Sequence, residues 1–168
     1  VIRLQRERHV CDEWDLALIE ILCANHSRGE LTGCVLTSFA CADRVDTLLK
    51  EMKDVAEEEV NALLLGEVCE VDSEIFNARV TARYKKMRSR LMHTMLLWYR
   101  DLLCITCCGD TSGINVLDYV DTMRKHAEML TCQKALCMVD IVEDMYWKME
   151  GNVRESAVLE YGFGRLDR

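Results

Sequence analysis

Proline is absent from all 168 residues, and glycine occurs only eight times. An average chain of this length carries about eight prolines. Proline breaks helix interiors and populates the turns of sheets, so its absence argues for long helices joined by short loops. No apolar run approaches the roughly 20 residues that a membrane span needs. Val1 to Arg8 runs straight into charge, which is not the pattern of a signal peptide. GxxxxGK[ST] and GxGxxG are both missing, so there is no phosphate-binding loop and no ATP hydrolysis is expected. Gly162-x-Gly164 falls in a helical tail, not after a strand, and says nothing about nucleotides. Basic residues are outnumbered, 21 against 29 acidic, and the net charge of −8 weighs against binding nucleic acid by blanket electrostatics. A local basic patch is still compatible with that balance.

The four histidines, His9, His26, His93 and His126, are scattered, with no HExxH and no triad-like grouping. A serine or cysteine nucleophile needs such a base beside it. The carboxylates cluster as Glu57-Glu58-Glu59 and as Asp140, Glu143 and Asp144, which reads as a solvated helix face. The expectation is therefore no catalytic residue, no cofactor and no enzymatic activity.

Half of the chain is apolar, enough for one domain with a real core. Ten cysteines is a high count. Most sit in apolar helical stretches (Cys23, Cys34, Cys41, Cys104, Cys137), where a thiol behaves as a small hydrophobe. That usage points to a reducing cytoplasm. Cys104-Ile105-Thr106-Cys107-Cys108, with Cys132 and Cys137 later, can be drawn as a zinc or redox site, because CxxC is a common half-site. The second pair has four intervening residues and lies in a separate helix, with no histidine near. The plainer reading is a set of thiols at a helix end, and no metal is expected.

Residues 1–12 read as a charged lead-in from an upstream domain, and 13–168 as one helical domain. A first helix is expected over Glu13 to Asn25, with Trp14, Leu18, Ile21 and Leu22 on one side. A second runs from about Glu30 to Lys53 with Leu31, Val35, Phe39, Val45, Leu48 and Leu49, although Gly33 and Thr37-Ser38 weaken its middle. A third covers Val55 to Leu65 and stops near Gly66. The clearest element starts near Ser73 as N-cap and ends at Gly109. Its apolar residues recur at Val80, Tyr84, Met87, Leu91, Met95, Trp98, Leu102 and Ile105, alternating steps of three and four. Such a spine spans roughly 50 Å. Asn115 can cap a helix to Leu130 with Val116, Val120, Met123, Ala127 and Leu130 inward. Thr131 can cap the next, with Ala135, Met138, Val142, Met145 and Met149 inward, ending at Gly151. Asn152 with Glu155 forms a capping box for the last. The fold class expected is all-α, a bundle of about six helices around one long central helix.

The C-terminal half then resembles a known family. Trp98-Tyr99-Arg100-Asp101-Leu102-Leu103, a glycine-bearing loop, Asn115, two further helices, and Asn152-Val153-Arg154 through Leu159-Glu160 to Arg165-Leu166 resemble the C-terminal collar of bacterial clamp loaders. The resemblance covers roughly Ser73 to Leu166. Gly162 and Gly164 stand where that family usually carries leucines. The turn Ala24-Asn25-His26-Ser27-Arg28-Gly29-Glu30 is similar to the one that opens the domain in the delta-prime subunit of DNA polymerase III, in preference to the gamma/tau ATPase subunit. What the resemblance implies is a non-catalytic oligomerisation domain in a bacterial cytoplasm. Its partners are the collars of the other clamp-loader subunits, and sliding clamp and primed DNA are met only through the whole complex. A thiol-rich metal-binding module and a helical adaptor are the alternatives of a different class.

Candidate interface residues lie on the spine. Arg79, Arg83, Lys86 and Arg90 repeat on one face, beside the apolar stripe. They read as a solvated face paired with neighbouring carboxylates, as a subunit interface for an acidic partner, or as a contact for DNA phosphates. Trp98 belongs to the core stripe, whereas Tyr99 and Arg100 are expected to point away from it, toward another subunit. The methionines of the second half (Met123, Met129, Met138, Met145, Met149) read as adaptable core.

Overall fold

A computed structural model describes residues 11–26, 34–64, 72–109, 111, 113–151 and 153–166. Among them are six α-helices and no strand: α1 Glu13–His26, α2 Cys34–Leu64, α3 Ser73–Cys108, α4 Val120–Ala127, α5 Cys132–Glu150 and α6 Glu155–Leu166. A single 3₁₀ turn, Leu117–Tyr119, leads into α4. The architecture is the expected helical bundle with one long central helix. Residues 1–10 of the charged lead-in 1–12 and the turn around Ser27 to Gly29 lie outside the described residues, whereas Asp12 accepts the Trp14 and Asp15 N–H groups at the start of α1.

The spine α3 packs against α1, α2, α4 and α5, and α6 lies on α2 and α5. Its start is capped by Asp72, whose carboxylate accepts the Glu74 N–H, so the expected cap moves back by one residue from Ser73. Its end is Gly109, with φ +62°, a left-handed conformation that glycine adopts without steric cost.

The expected break between Lys53 and Val55 does not exist. Buried Val45, Leu48, Leu49, Met52, Ala56 and Val60 continue one face at steps of three and four, with neither proline nor glycine between Cys34 and Leu64. One helix of 31 residues therefore replaces the two expected. Phe39, expected inward, is exposed, while Ser38 beside it is buried.

Helix α5 follows its sequence pattern closely. Thr131 caps it by accepting the Lys134 N–H, Gly151 ends it, and Ala135, Met138, Val142, Met145 and Met149 are all buried. In α6, Gly162 lies so close to α5 that a Cβ on it would fall 2.1 Å from the Met145 sulfur. The absent side chain there is what lets α6 lie on α5. Asn152 lies outside the described residues, and Glu155 is the first residue of α6, occupied with partners across the bundle.

Candidate functional site

The motif at the end of the spine is held by its own acid. Asp101 is 1% exposed, yet it receives a full set of hydrogen bonds. Its Oδ2 accepts the backbone N–H of Asn115 at 2.7 Å and of Val116 at 2.9 Å, and its Oδ1 accepts the Asn115 side-chain amide at 2.8 Å. A buried carboxylate costs several kcal/mol unless such donors replace water, roughly as here. Asn115 is thus the partner of Asp101 and not the expected cap. The helix it was expected to start is shortened to the 3₁₀ turn and α4, neither with a side-chain cap. Beside this clamp Trp98 is fully buried, edge-on to Tyr119 and to the buried His126 at centroid distances of 6.2 and 6.4 Å.

Tyr99 does not point outward. It is 1% exposed and belongs to the core, which corrects its assignment to a subunit interface. The spine is enclosed on several sides near its end, so Leu97, Trp98, Tyr99, Asp101 and Leu102 are all buried. A stripe of spacing three and four marks the centre of a buried arc but not its width. Arg100 is exposed and, among the described residues, has no ion pair.

The basic stripe divides. Arg83 reaches Glu59 of α2 with both Nε and Nη2, the latter at 3.1 Å. The hydrogen bond from Arg83 holds the Glu59 carboxyl below its ordinary range and raises Arg83 in turn. Both groups are exposed, so the pair stabilises by no more than about 1 kcal/mol. Arg90 bridges Asp12 at 3.0 Å and Asp15 at 3.1 Å, and Asp15 also accepts the Thr94 hydroxyl at 2.6 Å. Asp15 is buried, so this group fixes the start of α1 on the spine. Arg79 and Lys86 are exposed, and Lys86 has no ion pair among the described residues. Arg83, Lys86 and Arg90 line one cleft between α1, α2 and α3, floored by Met52, Met87 and Leu91. Four carboxylates line it too (Asp12, Glu13, Asp15 and Glu59), so it is not a basic groove.

A second buried polar group was not legible in the sequence. Arg88, on the same helix, is 6% exposed and pairs with Glu155 of α6. The Tyr84 hydroxyl donates to the other oxygen of Glu155 at 2.6 Å, and the Arg88 guanidinium lies 5.7 Å from the Tyr84 ring centroid. Burial, first, and then the carboxylate of Glu155 push the Tyr84 phenol well above its ordinary value. These residues are 71 and 67 apart in sequence, a separation over which no local spacing rule acts.

The thiols are not where a core reading puts them. Cys41 is buried, but Cys104, Cys107, Cys108, Cys132 and Cys137 are exposed. Interaction with the Cys132 thiol, followed by desolvation and the nearby thiols Cys108 and Cys104, pushes the Cys107 thiol up to about 11. Cys132 also donates to the Thr106 carbonyl at 3.7 Å. Among the described residues no three His, Cys, Asp or Glu side chains are grouped so as to hold a metal ion.

The largest exposed aromatic surface lies on α5 and α6. Trp147 is 72% exposed, and Tyr161 is 55% exposed. The Tyr161 ring carries Lys148 Nζ at 4.8 Å and the Arg165 guanidinium at 5.5 Å, both cations also facing Asp144. Along α5, exposed Leu136, Asp140, Glu143 and Trp147 share one face at helical spacing, an acidic strip with an apolar residue at each end. The signal was in the sequence: Trp147 falls outside the inward series 138, 142, 145 and 149. Met129 is likewise exposed and not core.

No helix among the described residues is long and apolar enough to cross a membrane. Comparison with known protein families, curated proteins and solved structures finds none that matches this chain.

Proposed function

We propose that this chain is a non-catalytic assembly domain of the clamp-loader collar type, the collar of a delta-prime subunit in preference to that of the gamma/tau ATPase subunit. The observation that carries this reading is the Asp101–Asn115 clamp. The two polar residues that anchor the resemblance, at the end of the spine helix and after the glycine-bearing loop, bind each other. Their presence together in the sequence thus has one physical cause. Asn115 and Val116 are thereby tied to the end of the spine, just before the 3₁₀ turn that leads into α4. Aromatic Trp98 packs behind it.

An assembly role needs a surface as well as a scaffold. Trp147, Tyr161 and Leu136 offer it, since exposed tryptophan and tyrosine are enriched among the residues that dominate binding energy. The acidic strip between Leu136 and Trp147 fits a neighbour of basic character. Arg100 and Lys86, exposed and without ion pairs among the described residues, extend the candidate contacts to the spine. Arg83 and Arg90 are engaged within the domain and act there as ties between helices. In this role the domain holds neighbouring collars together in a bacterial cytoplasm. The complex, not this domain, carries out ATP-driven loading of a sliding clamp on primed DNA.

Light scattering tests this directly. The chain is measured alone and mixed with the collar of the clamp-loader ATPase subunit from the same organism. A defined hetero-oligomer is expected. Absence of any association at tens of micromolar, with the helical content intact, contradicts the assembly role.

A further inference from the structure

We propose that Cys107 and Cys132 are a reversible oxidation site, forming an intramolecular disulfide that ties the end of α3 to the start of α5. One contact places the two residues together: the Cys132 thiol donates to the carbonyl oxygen of Thr106 at 3.7 Å, so its sulfur lies against the peptide that joins Thr106 to Cys107. Both cysteines are exposed, so an oxidant reaches them without any opening of the bundle. Cys107 sits on the last turn of α3 and Cys132 is the first residue of α5. Neither lies in the middle of a rigid helix, where the approach needed for a sulfur–sulfur bond would strain the backbone.

The other thiols are placed less well. Cys104 and Cys108 lie near Cys107 on α3, but neither is bonded through the chain to Thr106, whose carbonyl the Cys132 thiol reaches. Cys137 lies more than one turn further along α5. Adjacent Cys107 and Cys108 are a poor pair, since neighbouring helical side chains diverge.

The chemistry is thiol–disulfide exchange with a low-molecular-weight disulfide such as oxidised glutathione. The exchange starts from Cys132, the exposed first residue of α5. The deprotonated Cys132 sulfur bonds to one glutathione sulfur, the glutathione disulfide breaks, and one glutathione leaves as thiolate and takes up a proton. Cys107 then loses its proton, and its sulfur attacks the Cys132 sulfur of the mixed disulfide. The second glutathione leaves as thiolate and is protonated in turn. Two protein thiols have lost two electrons and two protons, and one glutathione disulfide has become two glutathione thiols. The product closes a covalent loop around the segment that carries α4, including Asn115. Oxidation therefore adds a covalent tie to a region already held by the Asp101–Asn115 clamp and by the packing of Trp98 on Tyr119 and His126. Disulfides of this exposed kind in reducing compartments are transient and responsive. This site stands independently of the assembly reading.

The test uses the whole chain. Reduced protein is equilibrated with oxidised glutathione, free thiols are alkylated, and the digest is mapped by mass spectrometry without reduction. The expected result is a monomer lighter by two hydrogen atoms, with Cys132 linked to Cys107 and the link located by fragmentation. Dithiothreitol removes it. Cys107→Ser and Cys132→Ser each abolish the link, whereas Cys104→Ser, Cys108→Ser and Cys137→Ser retain it. The oxidised wild-type chain melts at a higher temperature than the reduced chain, and Cys107→Ser shows no such shift. A preferred link from Cys132 to Cys104 or Cys108, links between chains only, or no link under oxidising glutathione overturns the proposal. The mapping on the wild-type chain decides this without reliance on any variant.

Discussion

Asp101 and Asn115 lie 14 residues apart and are joined through both oxygens of one buried carboxylate, to a backbone N–H at 2.7 Å and to a side-chain amide at 2.8 Å. The Val116 N–H completes the set. One residue of the spine thereby determines how the chain leaves it.

Asp101→Ala leaves these donors buried without an acceptor. The cost is about 3 kcal/mol or more, since charged acceptors contribute roughly twice a neutral bond. Denaturant unfolding measures it. Asp101→Asn, which keeps one carbonyl acceptor, is expected to cost less. Equal stability of wild type and Asp101→Ala would show that the clamp does not hold the loop.

Arg88 and Glu155 couple α3 to α6 through a pair buried on the arginine side. Removing the acid strands a buried cation, which costs roughly 3 kcal/mol, at the low end for buried pairs because Glu155 retains some solvent contact. Glu155→Ala is therefore expected to destabilise more than the double variant Arg88→Met with Glu155→Ala. A double-mutant cycle with no coupling would show the pair to be energetically idle.

Tyr84 gives the bundle a limit at high pH. Its phenol is raised in the folded state, chiefly by burial and then by Glu155, so the folded chain keeps the proton where the unfolded chain gives it up. The stability from this group is fully present below the unfolded value near 10 and is lost as the pH rises above it. Melting temperature followed from pH 8 upward is expected to fall above about pH 10, and more steeply in the wild type than in Tyr84→Phe. Parallel curves would remove Tyr84 as a source of the decline.

The two glycines of α6 differ in what surrounds them. A Cβ at Gly162 meets Met145 at 2.1 Å in a filled core, whereas a Cβ at Gly164 meets nothing within 4 Å. Gly162→Ala is expected to destabilise by about 1–3 kcal/mol through overpacking. Gly164→Ala is expected to stabilise by about 0.5–1 kcal/mol through helix propensity. The same substitution two residues apart thus has opposite signs, which thermal melts of the two variants check.

What the sequence made legible were the features carried by local spacing. The length of α3, the Thr131 cap, the Gly151 stop and the inward methionines of α5 all follow from a period of 3.6 and from end signals. Tyr99 was misplaced because spacing gives the direction of a buried face and not its breadth, and α3 is covered from several sides near its end. Glu155 was read as a local cap, whereas its partners Tyr84 and Arg88 are brought to it only by the packing of α6 near the spine. Cys107 and Cys132 looked like thiols at a helix end, and so they are. That Cys132 reaches the end of α3 depends on how α5 packs on the spine, which no local spacing records.

The assembly role stands or falls on a single mixing experiment read at the exposed face of α5. The chain and the ATPase-subunit collar of the same organism are mixed at tens of micromolar and followed by light scattering, with wild type and Trp147→Ala in parallel. Trp147 is 72% exposed, so its removal should leave stability within about 0.5 kcal/mol. A defined hetero-oligomer with the wild type, weakened at least about tenfold by Trp147→Ala, is the predicted result. Two species that elute and scatter as independent, folded monomers, whichever residue stands at 147, would contradict it.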